Sequence, residues 1–209
     1  MFLKKRFDKA GPLVAEAMKK RGFDAYYVST AEEAKAKALE LIPEGAVVSW
    51  GGSVTVDQLG LKAELGSRNC SVIDRDTAKS PEERMELMRQ ALTCDTFLMS
   101  SNAVTEDGQL VNIDGNGNRV AALCFGPKEV IVIAGMNKVV GSLEDAWDRA
   151  RNYAAPVNAQ RFDLDTPCGK TGMCADCKNS KTICTHFVVT RMGKNGRIKV
   201  ILVGEELGF

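Results

Sequence analysis

The sequence predicts an α/β domain with a mostly parallel central sheet and flanking helices. Short apolar segments with strand character alternate with segments of helical periodicity, which is the pattern of a parallel sheet. Residues 129–134 (EVIVIA) form an uninterrupted apolar run, as expected of a strand buried on both faces. No linker rich in Pro, Gly or Ser divides the chain, so we expect residues 1–209 to form one domain.

The first half of the chain carries clear signals for helix ends. Gly22 is placed to end the first helix, and Thr30 with Glu33 has the capping-box pattern of a helix start. Pro81 follows a serine, at the first position of another helix, where proline is favoured. The helices predicted here are residues 12–21, 30–42, 53–65 and 80–93. The strands predicted between them are residues 24–29, 46–50, 70–74 and 96–100.

The second half of the chain is richer in short strands. The predicted strands are residues 103–104, 110–112, 129–134, 187–191 and 197–203, and the predicted helices are residues 119–125 and 143–153. Residues 193–196 (GKNG) carry the turn signal of a β-hairpin, so we expect the last two strands to pair directly. This late run of strands predicts a mixed edge on the sheet.

Charge and hydropathy exclude several function classes. The formal net charge is +1, so the chain has no overall field to hold nucleic acid or an acidic membrane surface. The N-terminus lacks the apolar core of a signal peptide, and no apolar run approaches the roughly 18 residues of a membrane span. We therefore expect a cytoplasmic protein whose thiols stay reduced. The sequence leaves open whether the chain is a monomer or a homodimer.

A glycine-rich turn follows the predicted strand at residues 46–50. Gly51, Gly52, Ser53 and Thr55 come directly after it. They offer backbone amides and hydroxyl groups at the start of a helix, and in open α/β sheets such loops lie where ligands bind. We interpret these four residues as an anion-binding loop. The alternative is an ordinary strand–helix turn with Ser53 as the helix N-cap.

A second polar element occupies residues 105–118 and is rich in Gly and Asn. Both residue types tolerate left-handed backbone conformations, so such a loop can wrap a polar ligand. The residues assigned to the ligand are Glu106, Asp107, Gly108, Asn112, Gly115, Asn116 and Gly117. The alternative is two successive surface turns. Together the two glycine-rich elements predict a shared pocket for an anionic small molecule.

Four of the seven cysteines lie in one short segment, residues 165–186. Their spacing is Cys168-x5-Cys174-x2-Cys177-x6-Cys184. Thiolates at close range repel one another unless a cation lies between them, and this segment has few large apolar residues with which to build a core. We therefore predict a metal-binding loop with these four cysteines as ligands. Residues 168–200 hold seven Lys and Arg against one acid, Asp176, which suits a site of negative charge.

The spacing leaves three interpretations of the loop open. The compact run of cysteines, with a proline before the first, favours an iron–sulfur cluster. Structural zinc usually uses two Cys-x2-Cys pairs, and only Cys174 and Cys177 have that spacing. A metal-free dithiol of the same pair is the third interpretation. His186 can replace a ligand, and it also fits the start of a strand. The other cysteines are interpreted as buried small apolar residues: Cys70, Cys94 and Cys124.

Five segments together resemble the lactate-utilisation (LUD) domain family, in particular its short members with a cysteine-rich segment. They are VVSWGGSVT (47–55), TEDGQLVNIDGNGNRVAA (105–122), EVIVIAGMNKVV (129–140), the cysteine segment and ILVGEELGF (201–209). The resemblance implies a fold similar to that of ribose-5-phosphate isomerase, glucosamine-6-phosphate deaminase and the CoA transferases. It also implies a part in the oxidation of lactate or related organic acids, beside iron–sulfur partner proteins.

The resemblance also implies site residues. The DGQLVN segment is similar to the DG-x-VN-x-x-GT motif of methylthioribose-1-phosphate isomerases, although Asn116 stands where those enzymes have Thr. The residues that this motif places at a pocket are Asp107, Gly108, Asn112 and Gly115. CoA transferases of this fold group use a glutamate nucleophile in a Ser-Glu-Asn-Gly turn, and the turn at Glu106 is similar in form.

Three functions are therefore open at this point. The first is a redox accessory protein that binds an anionic organic acid and carries an iron–sulfur or zinc centre held by the four clustered cysteines. The second is an isomerase- or CoA-transferase-like enzyme with a structural metal. The third is a ligand-binding module without catalysis.

Overall fold

The computed structural model describes residues 1–162 and 164–209. In these ranges the strands are β1 (Asp24–Val28), β2 (Val47–Trp50), β3 (Ser71–Ile73), β4 (Thr96–Met99), β5 (Ala103–Thr105), β6 (Leu110–Asp114), β7 (Glu129–Gly135), β8 (Val139–Val140), β9 (His186–Thr190) and β10 (Ile198–Val203). The α-helices are α1 (Phe2–Lys20), α2 (Ala31–Leu41), α3 (Val54–Gln58), α4 (Leu61–Ser67), α5 (Pro81–Gln90), α6 (Asn118–Cys124), α7 (Leu143–Asp148), α8 (Ala155–Ala159) and α9 (Pro167–Thr171). A π-helical turn, Arg149–Ala154, joins α7 to α8.

The strands of the central sheet all run parallel, in the order β1-β10-β7-β4-β2-β3. β7 is buried on both faces, as its apolar run predicted. Its successive side chains point to opposite faces, so Val130 and Val132 enter one apolar cluster while Ile131 and Ile133 enter the other. The predicted α/β class with a parallel central sheet is confirmed.

Helices cover both faces of this sheet. On one face α1 and α6 contribute buried apolar side chains such as Met18 and Leu123. On the other face α2, α3 and α4 contribute Ala38, Val56 and Leu65. Each fully buried Val, Leu or Met side chain stabilises the fold by about 1.5–3 kcal/mol. The two apolar layers hold the strands in place and leave the carboxyl ends of the strands open.

The other described strands form a second, mixed sheet, in the order β8-β5-β6-β9. β5 and β6 are antiparallel neighbours, to which β9 adds an antiparallel strand and β8 a parallel one. Val111 and Ile113 of β6 pack against Ala146 and Ala150 of the helix that α7 begins. The strands expected at a mixed edge thus build a separate sheet, whose own core lies beside the central one.

The predicted hairpin between the last two strands is wrong. β9 pairs with β6 in the second sheet, whereas β10 lies between β1 and β7 in the central sheet. Asn195 and Gly196 do adopt the left-handed φ angles of an Asn-Gly turn, 56° and 66°. This turn joins two sheets, because β10 is apolar except for Lys199 and is flanked by a parallel partner on each side.

The first helix is longer than predicted. α1 begins at Phe2 and contains Pro12, whereas the prediction began at residue 12. Proline is favoured in a first helical turn, so Pro12 imitates a helix start. The helix extends on both sides of it because Phe7 and Val14, two turns apart, lie on the same buried face.

The helix caps agree with the sequence signals. Thr30 and Glu33 form the capping box of α2, and Gly22 follows α1 with a φ of 79°. Ser80 caps α5, with Pro81 at its first position. Within the residues that the structure describes, no helix has the length and apolar character needed to cross a membrane.

Candidate functional site

A cavity of about 640 Å³, here called the basic cavity, opens at the carboxyl ends of the central strands. Much of its wall is formed by residues 52–55 after β2, 75–76 after β3, 100–102 after β4, 113–116 at the end of β6, 180–183, and Lys138, Gly208 and Phe209. Ligands of open parallel sheets bind at this edge, because loops from several strands converge there. The second sheet closes one side of the cavity.

The wall of the basic cavity carries an excess of positive side chains. Its basic members among the described residues are Lys62, Arg75, Arg84, Arg119, Lys138, Arg161 and Lys181, and its acidic members are Asp57, Asp76 and Asp114. Lys62 bridges Asp57 at 2.9 Å and Asp76 at 3.3 Å. Asp114 accepts two backbone N–H bonds from the start of α6. Since these acids already have partners, the remaining field suits an anion.

Lys138 is buried at this cavity, with only 3% of its surface exposed. Its Nζ donates to Ser100 Oγ at 2.9 Å and to Thr55 Oγ1 at 3.1 Å, and no described carboxylate pairs with it. Burial, with the nearby charges of Arg149 and Arg119, lowers the pKa of the ammonium to about 7. An ammonium has three N–H donors, so one remains for a ligand. A bound anion would favour the charged form.

Arg119 holds the wall of the cavity in place. Its guanidinium donates to the backbone carbonyls of Ser100 at 2.9 Å and Ile113 at 2.6 Å. It also donates to the side-chain oxygens of Asn102 at 3.0 Å and Asn112 at 2.6 Å. These bonds use all four Nη hydrogens, so Arg119 braces the ends of β4 and β6 and has little capacity left for a ligand.

Arg75 is a second, partly buried cation with unused donors. Its side chain is 15% exposed, and its Nη1 donates to the sulfur of Met88 at 3.5 Å. Its Nε has no hydrogen-bond partner among the described residues, and Asp76 lies 3.8 Å away. Its Nη2 lies only 2.5 Å from the position of a Cβ on Gly52. Glycine there leaves the guanidinium room beside the loop after β2.

Five of the residues predicted to bind a ligand line the basic cavity. They are Gly52, Ser53, Thr55, Gly115 and Asn116. Ser53 caps the short helix α3, since its Oγ accepts from the N–H of Val56 at 3.3 Å. Thr55 accepts from Lys138 and contacts the carbonyl oxygen of Leu207 at 3.4 Å. The turn after β2 therefore positions the lysine as well as bordering the cavity.

Three further predicted residues lie behind the cavity wall. Gly51 packs against the Arg119 side chain, where a Cβ would come within 3.0 Å of it. Asn112 accepts from Arg119, and its own Nδ2 has no partner among the described residues. Gly117 precedes α6 with a φ of 80°, a conformation that favours glycine. These residues support the wall from the side of the protein core.

The turn at residues 106–108 lies at the opposite end of the β5–β6 hairpin from the cavity. Asp107 pairs with Arg21, the residue that follows α1, and Gly108 packs against the backbone of that helix. The carboxylate of Glu106 is more than half exposed. β6 separates this turn from Gly115 and Asn116, so only the second half of the predicted Gly/Asn element borders the cavity.

Sequence reasoning missed Lys138, Arg75 and Arg119. Lys138 had a usable signal, because it closely follows the most apolar strand, where a lysine is unusual. The two arginines had none. Arg75 lies in a polar stretch after the short strand β3, and Arg119 begins a helix near other polar residues. Their burial results from how the chain packs around the cavity.

The four predicted metal ligands meet at a smaller space of about 50 Å³, here called the cysteine cavity. Cys168, Cys174, Cys177 and Cys184 all line it. Burial, followed by the charges of the other three sulfurs as thiolates, raises the pKa of the Cys184 thiol to about 11. The folded chain thus brings together four sulfurs that are up to 16 positions apart in sequence.

The donor set of the cysteine cavity fits a thiol-binding metal. Four sulfurs around one space match the all-cysteine ligand sets of zinc and of iron–sulfur clusters. With the side chains as they stand, no group of three or more His, Cys, Asp or Glu residues among those described is arranged to hold a metal ion. Binding therefore requires the thiols to rotate toward one another. Arg151, beside Cys174 and 2.8 Å from Asp176, adds positive charge there.

The structure also decides the roles predicted for the histidine and for the cysteines outside the cluster. His186 begins β9, with its ring against Gly117, so the strand-start interpretation is confirmed. Cys94 is buried as predicted, and Cys70 is partly buried. Cys124 is exposed, so the prediction that it is buried is wrong. It ends α6, a short amphipathic helix whose buried face carries the preceding leucine instead.

The two cavities share part of a wall. Thr182 and Ile183 line both of them, immediately before Cys184. Gly115 packs on this segment, because a Cβ there would stand 3.2 Å from Cα of Ile183. The cysteine cavity therefore adjoins the basic cavity at this segment.

A family model and one solved structure agree with this architecture. The family model described as LUD domain matches residues 12–203. A DUF162 family protein from Deinococcus radiodurans aligns over 94% of this chain and 98% of its own, at 15% identity and a TM-score of 0.55, which shows a common fold.

Ribose 5-phosphate isomerase A from Methanocaldococcus jannaschii aligns over 54% of each chain, at 21% identity and a TM-score of 0.34. The delta subunit of eIF2B from Chaetomium thermophilum aligns over 58% of this chain and 54% of its own, at 17% identity and a TM-score of 0.35. Comparison with curated proteins finds no match.

Proposed function

The chain belongs to the LUD domain family, and from this premise we propose that it binds an anionic organic acid in the basic cavity, in the utilisation of lactate or a related acid. The observation that supports this most strongly is that, among the described residues, the acidic side chains of that cavity are paired, whereas some of its basic side chains are not. Its acids are bound by neighbours, whereas Lys138 is buried with an N–H to spare and the partly buried Arg75 presents its Nη2 beside Gly52. A carboxylate or phosphate would supply the missing partners.

The cavity also has the right chemistry to orient a small hydroxy or oxo acid. The hydroxyls of Ser100 and Thr55 lie within 3.1 Å of the Lys138 amine. They and the side chain of Asn102 can bond a substituent next to the carboxylate. Arg119 fixes Ser100 and Asn102 before any ligand arrives, so little entropy is lost in ordering them.

We further propose that the four cysteines hold an iron–sulfur cluster, with zinc as the alternative. Four sulfurs on one cavity support either group, and the shared wall at Thr182 and Ile183 favours the cluster, because electrons from an acid in the basic cavity would have a short path to it. A cluster would supply one-electron transfer to iron–sulfur partner proteins, and zinc would supply only stability. Because either centre needs reduced thiols, the proposal includes a cytoplasmic location.

A binding series tests the anion site. We expect L-lactate, pyruvate or phosphate to raise the melting temperature of the protein at pH 7, and neutral 1,2-propanediol to leave it unchanged. The variant Arg75→Met should weaken the affinity for the bound anion about tenfold or more, because it removes a charge-assisted hydrogen-bond donor. Arg89→Met is the matched control, since Arg89 is an exposed arginine of the nearby helix α5.

Equal affinity of the wild type for the acids and for propanediol would overturn the anion site. An Arg75→Met effect no larger than that of Arg89→Met would remove Arg75 from it.

A further inference from the structure

We propose that Lys138 forms an imine with the carbonyl group of a 2-oxo acid bound in the basic cavity. This inference rests on the proposed function, since the acid must first bind. It adds a covalent step and names a substrate class, the 2-oxo acids, that the anion site alone does not require.

The first support is the position of the amine. Lys138 follows β7, at the carboxyl edge of the sheet where the cavity opens, and its Nζ is bonded to the hydroxyls of Thr55 and Ser100. No described carboxylate neutralises it. Hydroxyls, unlike carboxylates, leave the amine free to lose its proton and attack. Burial beside other cations is also the arrangement that activates a lysine nucleophile.

A second support is the contrast with Lys62 in the same cavity. Lys62 bridges two aspartates, and these partners raise the pKa of its ammonium. Lys138 is instead buried, with the charges of Arg149 and Arg119 nearby, and its pKa falls to about 7. At neutral pH a substantial fraction of Lys138 is therefore the free amine, whereas Lys62 stays charged. Of these two lysines, Lys62 keeps its proton at neutral pH, whereas Lys138 can lose it.

A third support is the close approach of the backbone at Gly208. A Cβ on Gly208 would stand 3.2 Å from Lys138 Nζ and 2.5 Å from Thr55 Oγ1, and the residue has a left-handed φ of 61°. This turn confines the amine between itself and the end of β4. A confined side chain loses little further freedom when it bonds to a ligand.

The chemical step is balanced by the acid and the amine alone. The Nζ lone pair attacks the carbonyl carbon, a C–N bond forms, and the carbonyl oxygen takes up a proton to give a carbinolamine. The hydroxyl then leaves as water with the second amine proton, and a C=N bond remains. Ser100 and Thr55 are placed to relay these protons, because both contact the Nζ. Arg75 would hold the carboxylate of the acid.

Reductive trapping tests the imine. The full-length protein is incubated with pyruvate and cyanoborohydride at pH 7, and modified residues are mapped by peptide mass spectrometry. We expect Lys138 to gain the mass of one reduced pyruvate group about tenfold or more faster than the exposed lysines, because its amine is less protonated. L-lactate, which has no carbonyl group, should give no adduct and should slow trapping by pyruvate.

Two variants and one binding measurement distinguish failure of the imine from failure of the anion site. Lys138→Arg and Lys138→Met should both lose the adduct, since neither side chain forms an imine. If pyruvate binds to the wild type, by calorimetry, without preferential modification of Lys138, the imine is overturned and the anion site stands. If neither pyruvate nor L-lactate binds, the proposed function fails and the imine fails with it.

Discussion

Lys138 is a buried residue whose charge is unfavourable for folding. Because burial lowers its pKa to about 7, the unfolded chain binds its proton more tightly than the folded one. The folded protein therefore gains stability as the pH rises from about 7 toward the ordinary pKa of lysine, near 10.4. A residue with this cost is expected at a functional site.

Replacing this lysine by an apolar side chain should stabilise the protein. We expect Lys138→Met to raise the free energy of unfolding by about 1–4 kcal/mol at pH 6.5, because it removes a buried charge that has no carboxylate partner. The gain should shrink as the pH rises toward 10. Urea unfolding at pH 6.5 and pH 9 measures both effects. A variant less stable than the wild type at pH 6.5 would contradict the unfavourable charge.

At the scale of single residues, the sequence predicts what local chemistry decides. Thr30, Ser53 and Ser80 cap helices as their positions indicated, because a cap depends on neighbours a few residues away. The role of Arg119 was not predictable in this way. Its guanidinium bonds four residues that lie 6 to 19 positions away, so its role exists only in the folded chain.

At the scale of elements, Gly115 links the end of β6 to the cysteine segment. We expect Gly115→Ala to destabilise the protein and to lower metal loading, because the new Cβ would press on the backbone of Ile183 at 3.2–3.6 Å. Gly66→Ala is the matched control. Gly66 lies within α4 with open space around it, so alanine there should add about 0.5–1 kcal/mol of stability.

Thermal melts and metal analysis of the two glycine variants compare these effects. If the Gly115→Ala variant binds as much metal as the wild type, the packing of β6 does not position the cysteines.

The strands show which features a sequence pattern predicts and which it does not. β7 was predictable because a strand buried on both faces must be apolar throughout. The separation of β9 and β10 into two sheets was not, because an Asn-Gly turn fixes only the local reversal of the chain. Which partner each strand finds depends on distant segments, namely β6 for one and β1 and β7 for the other.

At the scale of the molecule, the two cavities lie on either side of one segment, residues 182–183. The sequence predicted that the four clustered cysteines lie together, because close spacing of thiols is itself informative, and it predicted part of the glycine-rich wall. It did not predict the basic side chains that define the larger cavity. Those come from separate segments of the chain, which only the fold brings together.

Elemental analysis of the whole protein tests the cysteine centre. Material purified without oxygen should contain iron and acid-labile sulfide in equal amounts and absorb at about 400 nm, with bleaching by dithionite. Cys177→Ser should lower this content, whereas Cys124→Ser should not, because Cys124 is exposed at the end of α6. One zinc per chain would support the alternative centre. Protein free of iron and zinc would contradict both.

Proton uptake on anion binding tests the anion site in the basic cavity most directly. At pH 8 most of the free protein carries Lys138 as the neutral amine, and a bound carboxylate should raise the pKa of that group. Calorimetric titration with L-lactate in Tris and in HEPES should therefore reveal a net uptake of protons on binding. The uptake should be absent in Lys138→Met and should largely disappear at pH 6. Lactate binding without proton uptake in the wild type, or no binding at all, would contradict an anion site built around this lysine.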